Sequence, residues 1–374
     1  MINKKPHIVI DARLYGPKHT GIGRYTKNLL LALSQLPNFK KYRFTLIIYP
    51  ELESEIKKDL GNKFNYVTTN IRHYSLKEQL FLPFLIYRLN PNLVHFTHFN
   101  KPIFYFGKSV VTIHDLIKHF FKGPLTTTKN ISLYWLKHCF YLILTNLTIK
   151  NNMLLVPSNY WRDYIIKKFH ILPTKITTTH EAVDPTFLEK ITKNPKLIKP
   201  SNYIIYTGNL YPHKNIEIIL KALTKLPDLK LKIICARSYF TQRIKNLIRK
   251  YQINKQVEFL GYIPDSKFKK IYQQALALVH PSLMEGFSLT GLEAMSLGCP
   301  VISSNSSCLP EIYQNSVLYF DPKKSDELIN QIKKIQNNPK LRQKLIQQGI
   351  KQVKKYSWKN TAKQTLNVYK KNIT

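Results

Sequence analysis

Along this chain, short apolar runs rich in Val, Ile and Leu alternate with longer stretches whose apolar positions recur every three or four residues. The first pattern reads as buried strand, the second as amphipathic helix. In the first half the strands predicted lie at 7–11, 44–49, 93–96, 109–113 and 153–156. In the second half they lie at 203–207, 232–236, 257–260, 277–280, 301–303 and 317–320. Helical periodicity fills the intervals, as at 26–36, 215–224 and 240–251. Strands alternating with helices imply parallel sheets with helices on their faces. The series runs twice, with a break at 181–203 that holds three prolines and no sustained periodicity. The expected organisation is therefore α/β: a doubly wound domain over 1–182, a linker over 183–200, and a second doubly wound domain over 201–355. A last helix over 356–374 is expected to pack back on the first domain. Such domains bind ligands beyond the carboxyl ends of their strands.

Composition changes this picture in one respect. The chain has 374 residues and an ordinary hydrophobic fraction, 44%, but 58 basic residues against 21 acidic ones give a formal charge of +37. Either the excess lysines are solvated faces, or the protein meets an anionic partner: a membrane surface, a nucleic acid or a phosphorylated substrate. Nucleic acid is disfavoured, because no recognisable binding module accompanies the charge. The four cysteines are scattered and form no CxxC pair, which fits free thiols in a reducing compartment. The N-terminal MINKKPHIVID lacks the apolar run of a signal peptide. The most apolar segment, 131–150, carries Lys137 and His138 in its middle, so it reads as a buried or interfacial helix rather than a membrane span.

Polar residues gather at the predicted strand ends. Gly21 and Gly23 stand directly before a helical run, where backbone amides can approach an anion; Lys18 and Arg24 are nearby. A plain glycine-rich turn explains them equally well. In HFTHFN, His95 and His98 have a metal-like spacing but fall on opposite faces of a strand, so no metal site is expected; His98 and Asn100 are candidate pocket residues. His114 and Asp115 emerge from the end of an apolar strand. In TGNLYPHKNIEIIL, Lys214 precedes a helix for which Asn215 is the expected cap. A lysine there opposes the helix dipole unless an anion intervenes, which marks a phosphate site. Finally, PSLMEGFSLTGLEAM places Glu285 in a loop and Glu293 in a helix capped by Ser288 or Thr290. The amides of Gly286, Phe287 and Ser288 lie between them. Two carboxylates that accept hydroxyl hydrogen bonds, flanking a phosphate cradle, fit a nucleotide sugar. A glycoside hydrolase pair would need neither the cradle nor Lys214.

EGFSLTGLE, within HPSLMEGFSLTGLEAMSLGCPVISSNSSCLPEI, resembles the E-x7-E motif of the family 4 retaining glycosyltransferases; GNLYPHKN, TIHDL and TGIGRY match further elements in order. The resemblance covers nearly the whole chain. TGIGRY and HFTHFN look most like bacterial mannosyltransferase-type members that build surface polysaccharides. It implies a GT-B fold, two Rossmann-like domains facing across a cleft, and retaining transfer of a hexose, mannose favoured, from a nucleoside-diphosphate sugar to a saccharide or lipid-linked saccharide. Glu293 would hold the ribose, Glu285 the donor sugar, and Lys214 the diphosphate. Asn209 would sit beside the phosphates, and the amides of Gly286–Leu289 would touch sugar and phosphate. Gly21 and Gly23 would contact the donor phosphate or the acceptor, and His114 the reacting face. Base contacts would fall near Arg237 and Tyr262–Ile263. No DxD motif is present, so no metal and no further cofactor are expected. Where relatives carry Arg, this chain has Asn209 and His213, which leaves the diphosphate less positive charge unless His213 is protonated. Relatives of this kind act at the cytoplasmic membrane face, so a peripheral location on anionic lipid is expected, with 39–44, 86–90 and 131–150 as the contacting segments. A sugar-nucleotide epimerase of the same fold, and a non-catalytic basic scaffold, are the competing readings.

Overall fold

In the computed structural model, residues 5–127, 130–189, 200–235, 239–261, 263 and 265–373 are described. The chain divides into two compact units, one built from Met1–Leu116, Ser132–Glu181 and Ser357–Thr374, the other from Ile117–Ile131 and Ala182–Tyr356.

The first unit holds β1 (His7–Asp11), β2 (Arg43–Ile48), β3 (Asn65–Thr68), β4 (Leu93–Phe96), β5 (Ser109–Thr112), β6 (Met153–Val156) and β7 (Ile176–Thr178). They form one parallel sheet in the order β3-β2-β1-β4-β5-β6-β7. β1, β4 and β5 are buried at every position, as a sheet covered on both faces requires. The second unit holds β8 (Tyr203–Thr207), β9 (Lys230–Ile234), β10 (Val257–Phe259), β11 (Leu278–His280), β12 (Val301–Ser304) and β13 (Leu318–Phe320). Its parallel sheet runs β10-β9-β8-β11-β12-β13. In both sheets the chain winds outward from the first strand, then returns to start again on that strand's other side. The junctions β1/β4 and β8/β11 are thus the switch points of doubly wound folds, where the flanking loops separate and leave a crevice.

The core of the second unit is aliphatic. Ile219, Leu223 and Ile332 from helices Ile216–Leu223 and Ser325–Gln336 lie against Ile204 and Ile233 of the sheet, all without exposed surface. In the first unit, the final helix Trp358–Ile373 packs beside helix Thr20–Ser34. Tyr369 Oη meets His95 Nδ1 at 2.6 Å, Trp358 lies 5.8 Å from Tyr25 between ring centroids, and Thr361 donates to the His180 carbonyl.

Two strands escape sequence reading, β3 and β7, and both are sheet edges. Each has one neighbour, is three or four residues long, and is only partly covered. The first long helix begins at Thr20, well before the predicted 26, so Gly21 and Gly23 lie inside its first turn rather than ahead of it. Helix Ile131–Asn151 buries one face only, and no helix among the described residues is long and apolar enough to cross a membrane.

Candidate functional site

The second unit's switch point gathers the residues singled out in the sequence. β8 ends at Thr207, followed by Gly208 at φ 138°, a backbone conformation that favours glycine. The chain then passes Asn209, which is exposed, and a 3-10 turn Pro212–Lys214 before helix Ile216–Leu223. From the other side, β11 ends at His280 and the loop Pro281–Ser288 leads into helix Leu289–Ser296. The two loops are clipped together: Leu283 N–H donates to the His213 carbonyl at 2.7 Å, and Asn215 Nδ2 donates to the carbonyls of Pro281 and Pro322 at 3.2 and 2.8 Å. Asn215 does stand at the helix N-cap, but with positive φ and no side-chain cap bond; its amide serves the loops instead.

Lys214 Nζ donates to both Glu285 oxygens, at 2.7 and 2.8 Å. Ser282 Oγ donates to Glu285 Oε1 at 2.6 Å, and His280 Nε2 lies 3.0 Å from the same oxygen. Burial alone would raise the Glu285 pKa, but Lys214 and the His280 hydrogen bond hold it well below the ordinary carboxylate range. Glu285 is thus a fixed anion, and Lys214 has a countercharge inside the protein. That supplies a reason for a lysine at this helix start that requires no external anion. An ammonium has three N–H donors and two are spent on Glu285, so the third can still reach a ligand; Lys214 is only partly buried.

His213 does not replace the missing arginine charge. Burial and neighbouring Lys214 push its pKa down to about 4, so it is neutral at pH 7. It packs instead between the rings of Tyr211 and Phe121, at 5.9 and 5.7 Å between centroids.

Ser288 occupies the N-cap of helix Leu289–Ser296 at φ 80°, a strained conformation for a residue with a Cβ. Its hydroxyl does not cap the helix, nor does Thr290 precede it. Ser288 Oγ lies 2.6 Å from Tyr313 Oη, which in turn receives the Gly291 N–H at 3.1 Å and approaches His280 Nδ1 at 3.0 Å. Gly291 is required there, because an added Cβ would stand 2.3 Å from that phenol oxygen. Tyr313 therefore braces the loop from behind and leaves Gly286 and Leu289 partly exposed in front, while Phe287 is buried against Tyr356. The Glu285 N–H donates to Ser307 Oγ at 3.0 Å. Glu293 is buried on the helix, and its charge helps burial to raise the pKa of Tyr272, whose Oη lies 2.5 Å from Thr207 Oγ1 at the end of β8. Both carboxylates are thus brought to the β8/β11 junction. Sequence reasoning named Lys214, Glu285 and Glu293 but missed Ser282, Ser307, Tyr272 and Tyr313, and gave His280 no role. Only His280, a polar residue ending an apolar strand, carried a signal. Arg237 and Tyr262, expected near the base, lie outside the described residues; Ile263 is described and half-buried.

The first unit's switch point is filled differently. Arg13, fully buried, pairs with Asp11 through Nη2 at 2.7 Å and with Glu78 at 2.7 Å, and donates to the Ile71 carbonyl at 2.7 Å. Asn100 donates to Glu78, so it braces this cluster rather than lining an open pocket. Burial would raise the Asp11 pKa, but Arg13 holds it at about 2. Among the described residues, Asp11, His73 and Glu78 have ligand atoms within 4.8 Å of one another, the one such grouping. Arg13 bonds two of the three, which leaves a cation little to bind. His95 is buried between Tyr369 and Thr112, and His98 Nε2 meets Tyr74 Oη at 2.6 Å, so the two histidines serve separate structural contacts. His114 Nε2 faces the Thr97 carbonyl at 2.9 Å and Nδ1 faces Glu181 at 3.3 Å. Burial opposes its charge, but Glu181 outweighs burial and raises the pKa. With acceptors at both ring nitrogens, this histidine is suited to hold a proton, not to take one. Gly23 is a packing glycine: an added Cβ would stand 1.9 Å from the Gly16 carbonyl oxygen. Gly21 has nothing within 4 Å of that position and is exposed, open to a ligand.

Residues 189–352, which include the whole β8/β11 site, match the family of glycosyl transferases group 1. The O-antigen chain mannosyltransferase B of Escherichia coli is 31% identical over 229 residues, 58% of this chain and 60% of that protein. The O-antigen chain mannosyltransferase RfbU of Salmonella typhimurium is 24% identical over 351 residues, 89% of this chain and 92% of its own length. The chain thus spans a little under two thirds of the first relative and nearly all of the second. In three dimensions, WaaG, a glycosyltransferase involved in lipopolysaccharide biosynthesis, superposes with a TM-score of 0.70 at 12% identity, over 97% of this chain and 99% of WaaG.

Proposed function

We propose, from the match of residues 189–352 to the glycosyl transferases group 1 and from a fold like that of GT-B glycosyltransferases, that the chain moves mannose from a nucleoside-diphosphate donor, GDP-mannose in first place, to a saccharide or lipid-linked saccharide in cell-surface polysaccharide assembly. The observation that carries this reading is the β8/β11 junction: an anion fixed by a lysine, a braced loop with partly exposed Gly286 and Leu289, and a second buried carboxylate eight residues on. Glu293 is assigned to the ribose hydroxyls, Glu285 to the mannose hydroxyls, and Lys214 with the Gly286–Leu289 amides to the diphosphate. Asn209 stands beside the phosphates. In the first unit, Gly21 and His114 are assigned to the donor phosphate or acceptor and to the transferred sugar. Donors placed where negative charge develops supply the main catalytic effect. The donor's C1–O bond breaks with its electron pair leaving on the diphosphate. The acceptor hydroxyl bonds to C1 on the same face and passes its proton to the departing phosphate oxygen. That step retains the anomeric configuration and asks for neither a metal nor a further cofactor. The mannosyltransferase relatives support the sugar and the polysaccharide setting. The work is assigned to the cytoplasmic face of the membrane, with the anionic lipid surface as partner.

The test is transfer from GDP-mannose to lipid-linked acceptors, with anomeric NMR of the product. An α-mannoside formed from the α-linked donor is expected. Inversion would overturn the proposed step, and no transfer from any nucleotide sugar would overturn the function.

A further inference from the structure

Lys101 is a buried cation without a countercharge. It is 9% exposed and lies in the segment between β4 and β5. Its Nζ donates to the Tyr105 carbonyl at 2.6 Å and stands 5.7 Å from the centre of that residue's ring. Among the described residues no carboxylate reaches it. Burial, with no neighbouring charge to add to it or oppose it, brings the Lys101 pKa down to about 8, which still leaves the amine mostly protonated at pH 7. Buried charges are ordinarily paired, because the water they lose must be replaced. Arg13, buried in the same unit, has two carboxylates. A single carbonyl occupies one of the three N–H donors of Lys101 and returns no negative charge.

Lys101 also lines a cavity of about 220 Å³, and the walls of that cavity divide by chemistry. Ile103, Leu144 and Leu147 are apolar, and Phe106 and Leu147, 81% and 40% exposed, mark the mouth. The buried polar residues are committed elsewhere. Asn152 donates to the Thr148 carbonyl at 2.7 Å and accepts from Ser109 Oγ, while Thr148 Oγ1 faces the Phe99 carbonyl at 3.4 Å. The protein therefore surrounds this lysine with apolar groups and spent polar ones.

The cavity reaches the amino ends of the strands: Gly107 comes two residues before β5, and Asn152 directly before β6. His114, assigned to the transferred sugar, follows the opposite end of β5. Doubly wound folds bind their substrates beyond the carboxyl ends, and none of the residues lining this cavity is assigned to transfer.

We propose that this cavity is a second small-molecule site that takes an organic carboxylate, whose charge meets the Lys101 ammonium and whose short aliphatic chain packs on Ile103, Leu144 and Leu147. The head supplies the missing countercharge to the two N–H donors that Tyr105 leaves, and the chain covers apolar wall. A wholly polar anion such as phosphate satisfies the lysine but not the walls.

The probe is hexanoate, with acetate and inorganic phosphate as controls for charge alone. Each is titrated into the full chain at pH 7 and constant ionic strength, with binding read by ligand-observed NMR. Hexanoate should bind with a Kd on the order of 1 mM, as a ligand of this size allows. Acetate, which lacks the chain, should bind about tenfold more weakly or worse. Lys101→Met keeps the bulk without the charge and should weaken hexanoate about tenfold. Leu147→Trp, at an exposed position on the mouth, should do the same by blocking entry while unfolding at the wild-type temperature, which keeps the site testable if Lys101→Met folds poorly. Wild type that does not bind hexanoate at ~10 mM overturns the proposal. So does hexanoate binding kept by either folded variant, or phosphate that displaces hexanoate at equal concentration, which would make Lys101 a contact for any anion. No nucleotide sugar enters the test, so its outcome is independent of the proposed transfer.

Discussion

At equivalent places in the two units, the β1/β4 and β8/β11 junctions, a lone cation meets carboxylates, yet the two junctions differ in kind. In the first, Arg13 is fully buried, shared by Asp11 and Glu78, and further satisfied by a backbone carbonyl. Its charges are spent within the protein. In the second, Lys214 is partly exposed and faces a single carboxylate, beside a loop whose backbone is held by Tyr313 and whose front is partly open. One fold thus uses the same junction once to lock its loops and once to present charge. Topology marks where a site can be; the stoichiometry of charge and the exposure of the cation tell which junction is used.

The contrast breaks most sharply at Arg13. Arg13→Met strands two buried carboxylates and should cost ~3–5 kcal/mol of stability, read by denaturant unfolding. A loss under about 1 kcal/mol would mean that the cluster is not the lock described. At Lys214 the large effect falls on catalysis: Lys214→Met should lower kcat by ~10²–10³, as removal of a donor to developing charge does. If kcat stays within a few-fold of wild type, the lysine serves only Glu285. The two glycines divide in the same way. Gly23→Ala should destabilise by ~1–3 kcal/mol through its clash with the Gly16 carbonyl, whereas Gly21→Ala should leave stability level or raised by about 0.5–1 kcal/mol while impairing transfer. Equal melting temperatures for both would contradict the assignment.

The smallest effect is at His213. Its pKa is about 4 in the folded protein against 6.5 for the free side chain. The unfolded chain therefore binds the proton first as pH falls. This stability contribution is whole above 6.5 and is lost as pH drops from 6.5 towards 4. His213→Phe keeps a ring between Tyr211 and Phe121 and should gain ~1 kcal/mol on wild type near pH 6 relative to near pH 7.5. An unchanged gap would place the histidine in a more polar setting than its neighbours indicate.

The central strands were legible because a strand buried on both faces is written as an unbroken apolar run; β1, β4, β6 and β8 carry their predicted bounds. The edges β3 and β7 were not, because one neighbour and partial cover demand no such run. At the site, residues with distinctive chemistry or spacing stood out: Lys214 before a helix, Glu285 and Glu293 eight apart. Their supports did not. Tyr313 and Tyr272 are two of 23 tyrosines, and only folding brings their hydroxyls behind the loop. Nor could spacing show that Lys214 and Glu285, 71 residues apart, neutralise each other.

The most direct test of the central claim, that the β8/β11 junction is the donor site, is thermal unfolding of the wild type and Glu293→Ala against rising GDP-mannose. Ligand at about 100 times its Kd adds ~2.7 kcal/mol to stability, a shift of several degrees for a wild type of this size. Glu293→Ala should lose most of that shift while folding normally without ligand. A wild type indifferent to every nucleoside diphosphate and nucleotide sugar at millimolar concentration, or a variant that responds as the wild type does, would contradict the account.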